Sequence, residues 1–234
     1  MSGSSVPPEE AERPAPGASP HSSAASKLRL AAWLAVVVGV AFMAAGAVFV
    51  LRPPPPASVA DSGVVRLAGG AAIGGPFRLV DQSGGVVSDS DFAGRFMLIY
   101  FGFANCPDIC PTELQAMGNA MDLLGGAGAK VAPIFITVDP ERDTPAQLKD
   151  YVAAFHPAML ALSGSAAETA AVAKAYKVYF SKAPVAAAGD SYQVDHTSFV
   201  YLVGPDGKLR SLFRAGTSAK AMAAEIAAQL RQPG

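Results

Sequence analysis

Apolar and polar residues divide the chain into an apolar N-terminal run and a longer region of alternating short segments. Residues 30–51 form the run, which carries no charged side chain and is long enough to cross the ~30 Å hydrocarbon core of a bilayer as a helix. Residues 1–27 are rich in Ser, Pro, Ala and Glu and have few large apolar side chains, which predicts a disordered tail. The pattern therefore predicts a transmembrane anchor at residues 28–51.

The charges that flank the apolar run indicate its orientation. Lys27 and Arg29 precede the run and Arg52 follows it, a weak bias that favours an N-terminus in the cytoplasm and the rest of the chain outside. The apolar core of a secretory signal peptide is usually only ~7–15 residues long, which favours a retained anchor. The alternative is a long signal peptide that is cleaved among the small residues 44–47.

Prolines and glycines separate the apolar run from the next region. Residues 53–56 are four prolines, which favour an extended, semi-rigid spacer, and residues 57–74 are small and glycine-rich. Residues 52–74 are therefore predicted to be a linker, and residues 75–234 a single folded domain of ordinary size.

Short apolar runs alternate with helical patterns within the predicted domain. Residues 96–101 read Phe-Met-Leu-Ile-Tyr-Phe, which is typical of a strand buried on both faces. Thr144 and Pro145 form a helix start, with Thr144 as the N-cap. Strands are predicted at residues 77–80, 96–101, 131–138, 196–203 and 209–213, and helices at residues 111–124, 144–155, 166–176 and 218–230. The alternation predicts an α/β fold with a central mixed sheet flanked by helices.

Composition narrows the classes of function. The chain has 234 residues, a formal net charge of −1 and no long basic run, so nucleic acid is not an expected partner. Its two cysteines, Cys106 and Cys110, are too few for a disulfide-stapled scaffold. A disulfide between residues so close in sequence closes a short loop and adds little stability. The pair therefore favours redox chemistry or metal binding over a structural role.

The two cysteines lie where a predicted buried strand meets a predicted helix. The positive end of the helix dipole at such a position lowers a thiol pKa and favours the thiolate, which binds soft metals and attacks disulfides. The spacing is Cys-x-x-x-Cys, one residue longer than the Cys-x-x-Cys of oxidoreductases. Cys106 and Cys110 can converge on one ion or form a disulfide, and the spacing alone does not decide between them.

Imidazole is a common additional ligand of copper, which makes the three histidines candidates. His21 lies in the predicted tail, and His156 follows a predicted helix in an exposed loop. His196 opens a predicted strand, where a histidine is more often structural or solvent-facing than a ligand. From the residues alone, His196 is the strongest of the three histidine candidates, although a structural role is the more frequent one at such a position.

Several segments, taken in their order along the chain, resemble the Sco (SenC) family of copper chaperones. They cover essentially the whole predicted domain, and their combination is highly specific. The segments are Gly75-Pro76-Phe77-Arg78-Leu79 with Asp81, Tyr100-Phe101-Gly102-Phe103, Cys106-Pro107-Asp108-Ile109-Cys110-Pro111, Val138-Asp139-Pro140-Glu141-Arg142-Asp143-Thr144-Pro145, Leu162-Ser163-Gly164, Val194-Asp195-His196-Thr197 and Tyr201-Leu202. Phe103, where a tyrosine is common in the family, and Ala104 and Asn105 after it depart from the pattern without removing a ligand.

The resemblance implies a thioredoxin-like fold in which two cysteines and one histidine hold a copper ion, Cu(I) or Cu(II). Those positions fall on Cys106, Cys110 and His196. The resemblance also implies delivery of copper to the dinuclear site in subunit II of cytochrome c oxidase, or reduction of the thiols of that site. A related copper oxidase, another copper carrier and a thiol reductant are further partners that it suggests.

Two carboxylates near these positions could orient a ligand from outside the metal set. Asp139 ends a predicted strand, and an equally good interpretation is a turn residue that pairs with Arg142 or caps the next helix. Asp195 precedes His196 and points to the opposite face if the strand is regular.

Three functions fit the residues to different degrees. A copper metallochaperone needs His196, whereas a membrane-anchored thiol-disulfide oxidoreductase, the alternative, needs only the cysteine pair Cys106 and Cys110. A peroxiredoxin-like peroxidase fits least, because the sequence lacks a separate Thr-x-x-Cys motif at a strand end. Residues 1–27 contain acidic residues and few arginines, unlike a mitochondrial transit peptide, so we expect a single-pass protein of the bacterial inner membrane with its domain in the periplasm.

Overall fold

The protein is described by a computed structural model that separates the chain into two compact units, Met1–Pro55 and Pro56–Gly234. The structure describes residues 27, 29, 32–43, 63–71, 73–184 and 192–232. The predicted tail at residues 1–27 falls almost entirely outside the described residues.

The N-terminal unit contributes one described helix, α1, at residues 32–43, and its large apolar side chains are exposed. No helix among the described residues is long and apolar enough to span a bilayer. The predicted apolar run at residues 30–51 extends beyond the described part at both ends, so residues 30–31 and 44–51 lie outside it.

The C-terminal unit is built on an eight-stranded mixed sheet with the order β1-β10-β9-β4-β5-β6-β2-β3. Strands β4, β5 and β6 are parallel and the other pairings are antiparallel. A second sheet contains two described strands, β7 and β8. The strands are β1 Val64–Ala71, β2 Arg78–Asp81, β3 Val86–Ser88, β4 Phe96–Gly102, β5 Val131–Thr137, β6 Leu160–Ser163, β7 Phe180–Pro184, β8 Tyr192–His196, β9 Phe199–Val203 and β10 Leu209–Arg214.

In the described part of this unit, four α-helices cover the sheet, and the side chains of Thr144, Ser165 and Ser218 cap the N-termini of three of them. They are α2 Ile109–Leu124, α3 Pro145–Ala153, α4 Ala166–Ala175 and α5 Ala219–Leu230. Thr144 caps α3 and forms a reciprocal capping box with Gln147, as its sequence predicts. All seven residues of β4 and of β5 are buried, so both faces of the sheet are covered at its centre. The predicted α/β architecture with a mixed sheet flanked by helices is confirmed.

The structure corrects two predictions. The linker prediction for residues 52–74 is wrong at Val64–Ala71, because these residues form β1, which pairs antiparallel with β10. Pairing with a distant strand overrides the low strand propensity of a glycine-rich segment. The single strand predicted at residues 196–203 is two strands, and His196 ends β8 instead of opening β9.

Candidate metal centre

The two cysteines follow the carboxyl end of β4, a strand near the centre of the sheet that pairs parallel with β5 and antiparallel with β9. The loop after Gly102 leads into α2, which begins at Ile109, two residues earlier than predicted. Cys110 is therefore the second residue of α2 and is fully buried, whereas Cys106 lies on the preceding turn and is partly exposed. Crevices beyond the carboxyl ends of parallel strands are where α/β folds place ligands.

Both cysteines are free thiols, and the two residues are in contact. The backbone N–H of Cys110 donates to Sγ of Cys106 over 3.5 Å. An N–H in the first turn of a helix stabilises negative charge on the sulfur that it faces. This contact places the Cys106 sulfur at the N-terminus of α2, as the sequence predicts.

His196 reaches the same place from a different part of the fold. Its Nε2 lies 3.5 Å from Sγ of Cys110, and its Nδ1 lies 3.2 Å from the backbone carbonyl of Thr197. Because a carbonyl only accepts, a hydrogen bond to it puts the proton on Nδ1 and leaves the Nε2 lone pair facing the sulfur. That tautomer is the one in which Nε2 can bind a metal ion.

Two aromatic rings hold the imidazole between them. Tyr100 and Phe103 pack edge-on against His196, with ring centroids 6.0 Å and 5.9 Å away and interplanar angles of 74° and 88°. The Tyr100 hydroxyl also lies 3.8 Å from Sγ of Cys110. No sequence pattern indicated a role for these two rings, although both lie in the segment that carries the cysteines.

Burial governs the protonation of the buried groups. It raises the pKa of the Cys110 thiol to about 12, so the expectation that the helix dipole lowers the thiol pKa is wrong for this cysteine. Burial also lowers the pKa of His196, which keeps the imidazole neutral at neutral pH. In the metal-free protein, Cys110 is thus a thiol beside a neutral imidazole.

Asp139 does not contact a proposed ligand directly. It is buried, forms an ion pair with Arg142 and accepts a hydrogen bond of 2.7 Å from the Tyr192 hydroxyl. The interpretation of Asp139 as a partner of Arg142 is confirmed. Asp195 is exposed while His196 is half-buried, which agrees with side chains on opposite faces of β8.

Asp143 supports the cysteine loop, a role that the sequence analysis missed. Its buried carboxylate accepts hydrogen bonds from the Thr137 hydroxyl, over 2.6 Å, and from the backbone N–H of Ala104, over 2.9 Å. Thr137 ends β5 beside the end of β4. The carboxylate thus ties the loop that precedes Cys106 to the neighbouring strand. The sequence signals for Asp143 are its place after a buried strand and its membership of a segment that resembles the Sco family.

The remaining histidines lie apart from this site or outside the described residues. His156 accepts a hydrogen bond of 3.1 Å from the backbone N–H of Ala158 and lies 3.6 Å from Asp122. His21 is outside the described part of the chain. Across the described residues, no three or more His, Cys, Asp and Glu side chains are already arranged to hold a metal ion.

A neighbouring pair of thiols and a neutral imidazole has the chemistry of a site for a soft ion. Thiolates favour Cu(I), and imidazole extends the preference to Cu(II). Cys110 is the common member, because it contacts both Cys106 and His196.

Comparison with known proteins places this arrangement in a family. A sequence profile described as SCO1/SenC matches residues 65–231. The mitochondrial protein SCO1 of Saccharomyces cerevisiae is 45% identical over 141 residues, which cover 60% of this chain and 48% of that protein. The chain thus spans about half the length of this curated relative.

Solved structures agree with the sequence match. The copper-bound structure of Bradyrhizobium japonicum ScoI is 43% identical with a TM-score of 0.63, over 67% of this chain and 99% of that one. BsSco, a member of the Sco family of cytochrome c oxidase assembly proteins in which a disulfide switch was identified, is 30% identical with a TM-score of 0.56, over 71% and 99%. The fold is the thioredoxin-like one of these structures, and the chain belongs to the SCO1/SenC family.

Proposed function

We propose that the protein binds one copper ion through Cys106, Cys110 and His196 and passes the ion on to a cytochrome c oxidase. The observation that carries the proposal is the position of Cys110, whose Sγ lies 3.5 Å from Nε2 of His196 and whose backbone N–H donates to Sγ of Cys106 over 3.5 Å. Two thiolates suit Cu(I), and the imidazole adds affinity for Cu(II). The copper-bound structure of ScoI supports the same cargo.

The unequal burial of the two thiols suits transfer of the ion. Cys110 is enclosed by the core, whereas Cys106 is partly exposed on the loop. A partner's thiolates can therefore approach from the Cys106 side and replace the ligands one at a time. A site with few ligands and one open side releases its ion by such exchange more readily than a closed one.

Copper stoichiometry of the full chain tests the ligand set. We expect one copper per wild-type chain, and less binding in Cys106→Ala, Cys110→Ala and His196→Ala. His156→Ala is the matched control, because this histidine contacts Asp122 and Ala158 instead of the cysteines. Equal copper content in wild type and Cys110→Ala would overturn the assignment.

The recipient that we propose is the dinuclear copper site in subunit II of cytochrome c oxidase, or a related copper oxidase. The family's role in oxidase assembly, stated for BsSco, supports this recipient. Oxidase activity of a deletion strain, measured at low copper, tests it. Wild-type protein should restore activity, and the cysteine variants and His196→Ala should not.

A second function, thiol-disulfide exchange with the recipient's cysteines, is favoured by the state of the two thiols. Both are free, one is partly exposed, and their residues are in contact. Such an exposed thiol can attack a partner's disulfide, after which the buried one resolves the mixed disulfide. Full restoration of oxidase activity by His196→Ala, with failure of both cysteine variants, would select this function over copper delivery.

We also propose that residues 28–51 anchor the protein in a bacterial inner membrane, with the domain in the periplasm. The length of the uncharged run and the flanking Lys27, Arg29 and Arg52 support this topology. A C-terminal reporter that is active only outside the cytoplasm should be active. An inactive reporter in a well-expressed fusion would refute the orientation, and a mature N-terminus near Ala47 would refute the anchor.

A further inference from the structure

The hairpin that carries His196 is joined to the rest of the domain in an unusual way. Among the residues that the structure describes, strands β7 and β8 pair only with each other and form no ladder with the eight-stranded sheet. An isolated two-stranded hairpin is marginally stable in water. Val194 is the one buried residue of the two strands. The position of the hairpin therefore depends largely on side-chain contacts with the rest of the domain.

Arg142 makes several of these contacts at once. It lies after β5, and its guanidinium forms an ion pair with Asp139. Its Nη1 donates to the backbone carbonyl of Tyr192, the first residue of β8, over 2.9 Å. Its Cζ also stacks 3.8 Å from the centroid of the Tyr192 ring. One side chain thus binds the hairpin by a hydrogen bond and by a cation–π contact.

Tyr192 and Asp139 complete a closed set of contacts around the guanidinium. The Tyr192 hydroxyl donates a hydrogen bond of 2.7 Å to the Asp139 carboxylate. The backbone N–H of Asp139 donates a hydrogen bond of 2.9 Å to the Thr137 hydroxyl. The set is therefore anchored on the end of β5. Lys182 adds an ion pair of 2.6 Å with Glu141, but both side chains are exposed, and such pairs contribute at most about 1 kcal/mol.

The same guanidinium also reaches the proposed copper site. Its Cζ lies 5.8 Å from the centroid of the Phe103 ring, and this ring packs edge-on against His196. Tyr192 and His196 are four residues apart, which spans about 13 Å of strand. Arg142 thus contacts the first residue of β8, the strand that ends at His196. It also contacts the Phe103 ring, which packs against the imidazole.

We propose that Arg142 is a positioning residue, which locks the β7–β8 hairpin to the end of β5 and thereby sets His196 beside Cys110. The inference rests on the proposed copper site, since the imidazole is its third ligand. Arginine is suited to this role because its planar fork can hold a carboxylate and a carbonyl while it stacks on a ring. A lysine keeps the charge but offers neither the fork nor the plane.

Full-length Arg142→Met and Arg142→Lys proteins test the proposal, with Arg210→Met as the matched control. Arg210 also forms an ion pair, of 2.9 Å with Asp206, but beside the β9–β10 turn. The first measurement is hydrogen–deuterium exchange of residues 192–196 in the metal-free protein. The second is the Cu(II) electron paramagnetic resonance spectrum, in which His196 contributes nitrogen hyperfine coupling.

We expect both Arg142 variants to exchange these amides at least about tenfold faster and to lose the histidine coupling. Their Cu(II) affinity should fall about 10–100-fold, as it does when an outer-shell partner is removed. Arg210→Met should match the wild type in all three measurements. Rescue by Arg142→Lys would overturn the proposed need for the planar fork.

Unchanged exchange and an unchanged spectrum in Arg142→Met would overturn the positioning role. Should Arg142→Met fail to fold, Tyr192→Phe keeps the test open, because it removes only the hydroxyl contact with Asp139. A smaller rise in exchange of the same residues is then expected, and no rise would refute the proposal. A wild-type spectrum without histidine coupling would refute the proposed copper site. The exchange measurement on metal-free protein would then still test whether Arg142 fixes the hairpin.

Discussion

The sulfur side and the imidazole side of the candidate metal centre are held by different parts of the fold. Cys110 is fully buried on α2, directly after β4, a strand with all seven residues buried and paired on both edges. His196 ends β8, a strand with one buried residue, whose only partner in the described part of the chain is β7. The core therefore fixes the sulfur, whereas a few polar and aromatic contacts fix the imidazole.

This difference indicates how a site can hold an ion and still release it. Residues in a close-packed core transmit strain and move little, so the thiol position is set when the domain folds. The hairpin can adjust at lower cost, because few apolar contacts hold it. We therefore expect substitutions on the sulfur side to abolish binding and substitutions on the imidazole side to tune it.

The largest expected effect is that of Cys110→Ala on Cu(I) affinity. The Cys110 sulfur lies 3.5 Å from the imidazole, so its loss removes one of the two thiolates and leaves only Cys106 and His196 as ligands. Affinity should fall by more than the 10–100-fold that outer-shell partners cause. Competition with a Cu(I) chelator measures the change. A loss smaller than that caused by His196→Ala would reverse the comparison between the two sides.

Acidification should weaken copper binding next most strongly. Burial raises the pKa of Cys110 to about 12, so copper must displace a proton from this thiol at every pH below that value. Each displaced proton makes the apparent affinity fall about tenfold for each pH unit of acidification. Titrations at pH values on both sides of neutrality measure the slope, and a flat profile would contradict thiolate binding.

The imidazole should add to this slope only at lower pH. Burial lowers the pKa of His196, so protonation competes with copper only below the ordinary value of ~6.5. His196→Ala should therefore lose the extra steepness at acid pH and keep the slope that comes from Cys110.

His196→Ala should weaken Cu(II) binding at least as much as the Arg142 variants do, by about 10–100-fold or more, and Cu(I) binding less. Two thiolates alone suit Cu(I), whereas Cu(II) gains more from an imidazole nitrogen. Parallel titrations with the two oxidation states measure the ratio, and His156→Ala is again the control. Equal losses for both states would show that His196 acts on the thiols instead of on the ion.

Gly102→Ala should destabilise the sulfur side by crowding it. A Cβ at this position would lie 2.9 Å from Sγ of Cys110 and 3.1 Å from the Phe135 ring. Overpacking of this kind costs about 1–3 kcal/mol of unfolding free energy. Chemical denaturation of the metal-free protein measures it. Gly126→Ala is the control, since a Cβ there meets nothing within 4 Å, and equal stability of the two variants would contradict the prediction.

The smallest expected effect is that of Tyr100→Phe. The substitution conserves the buried ring that packs against His196 and removes only the hydroxyl 3.8 Å from Sγ of Cys110. A neutral hydrogen bond contributes about 1 kcal/mol, so Cu(I) affinity should fall less than about tenfold. A loss as large as that of Cys110→Ala would mean that the hydroxyl has a role beyond this contact.

The apolar runs and the capping residues were sufficient to predict most of the sheet and all four helices that cover it. The runs at β4 and β5 are continuous because both faces of these strands are buried. Strand β1 was missed because its glycine-rich residues gain their order from β10, which lies far along the chain. The strand pair β7 and β8 was missed because its burial pattern lacks a regular alternation.

For the candidate site, the sequence by itself determined the chemistry: two thiols at the start of a helix and three histidines from which to choose. Family resemblance, not spacing, selected His196. Only the tertiary structure decided that its Nε2 lies against Cys110, that burial raises the thiol pKa, and that Arg142 joins the hairpin to the core. Local sequence patterns predict which elements form, whereas these contacts join residues as many as 86 positions apart. The geometry of the contacts and the desolvation of the thiol arise only when the domain has packed.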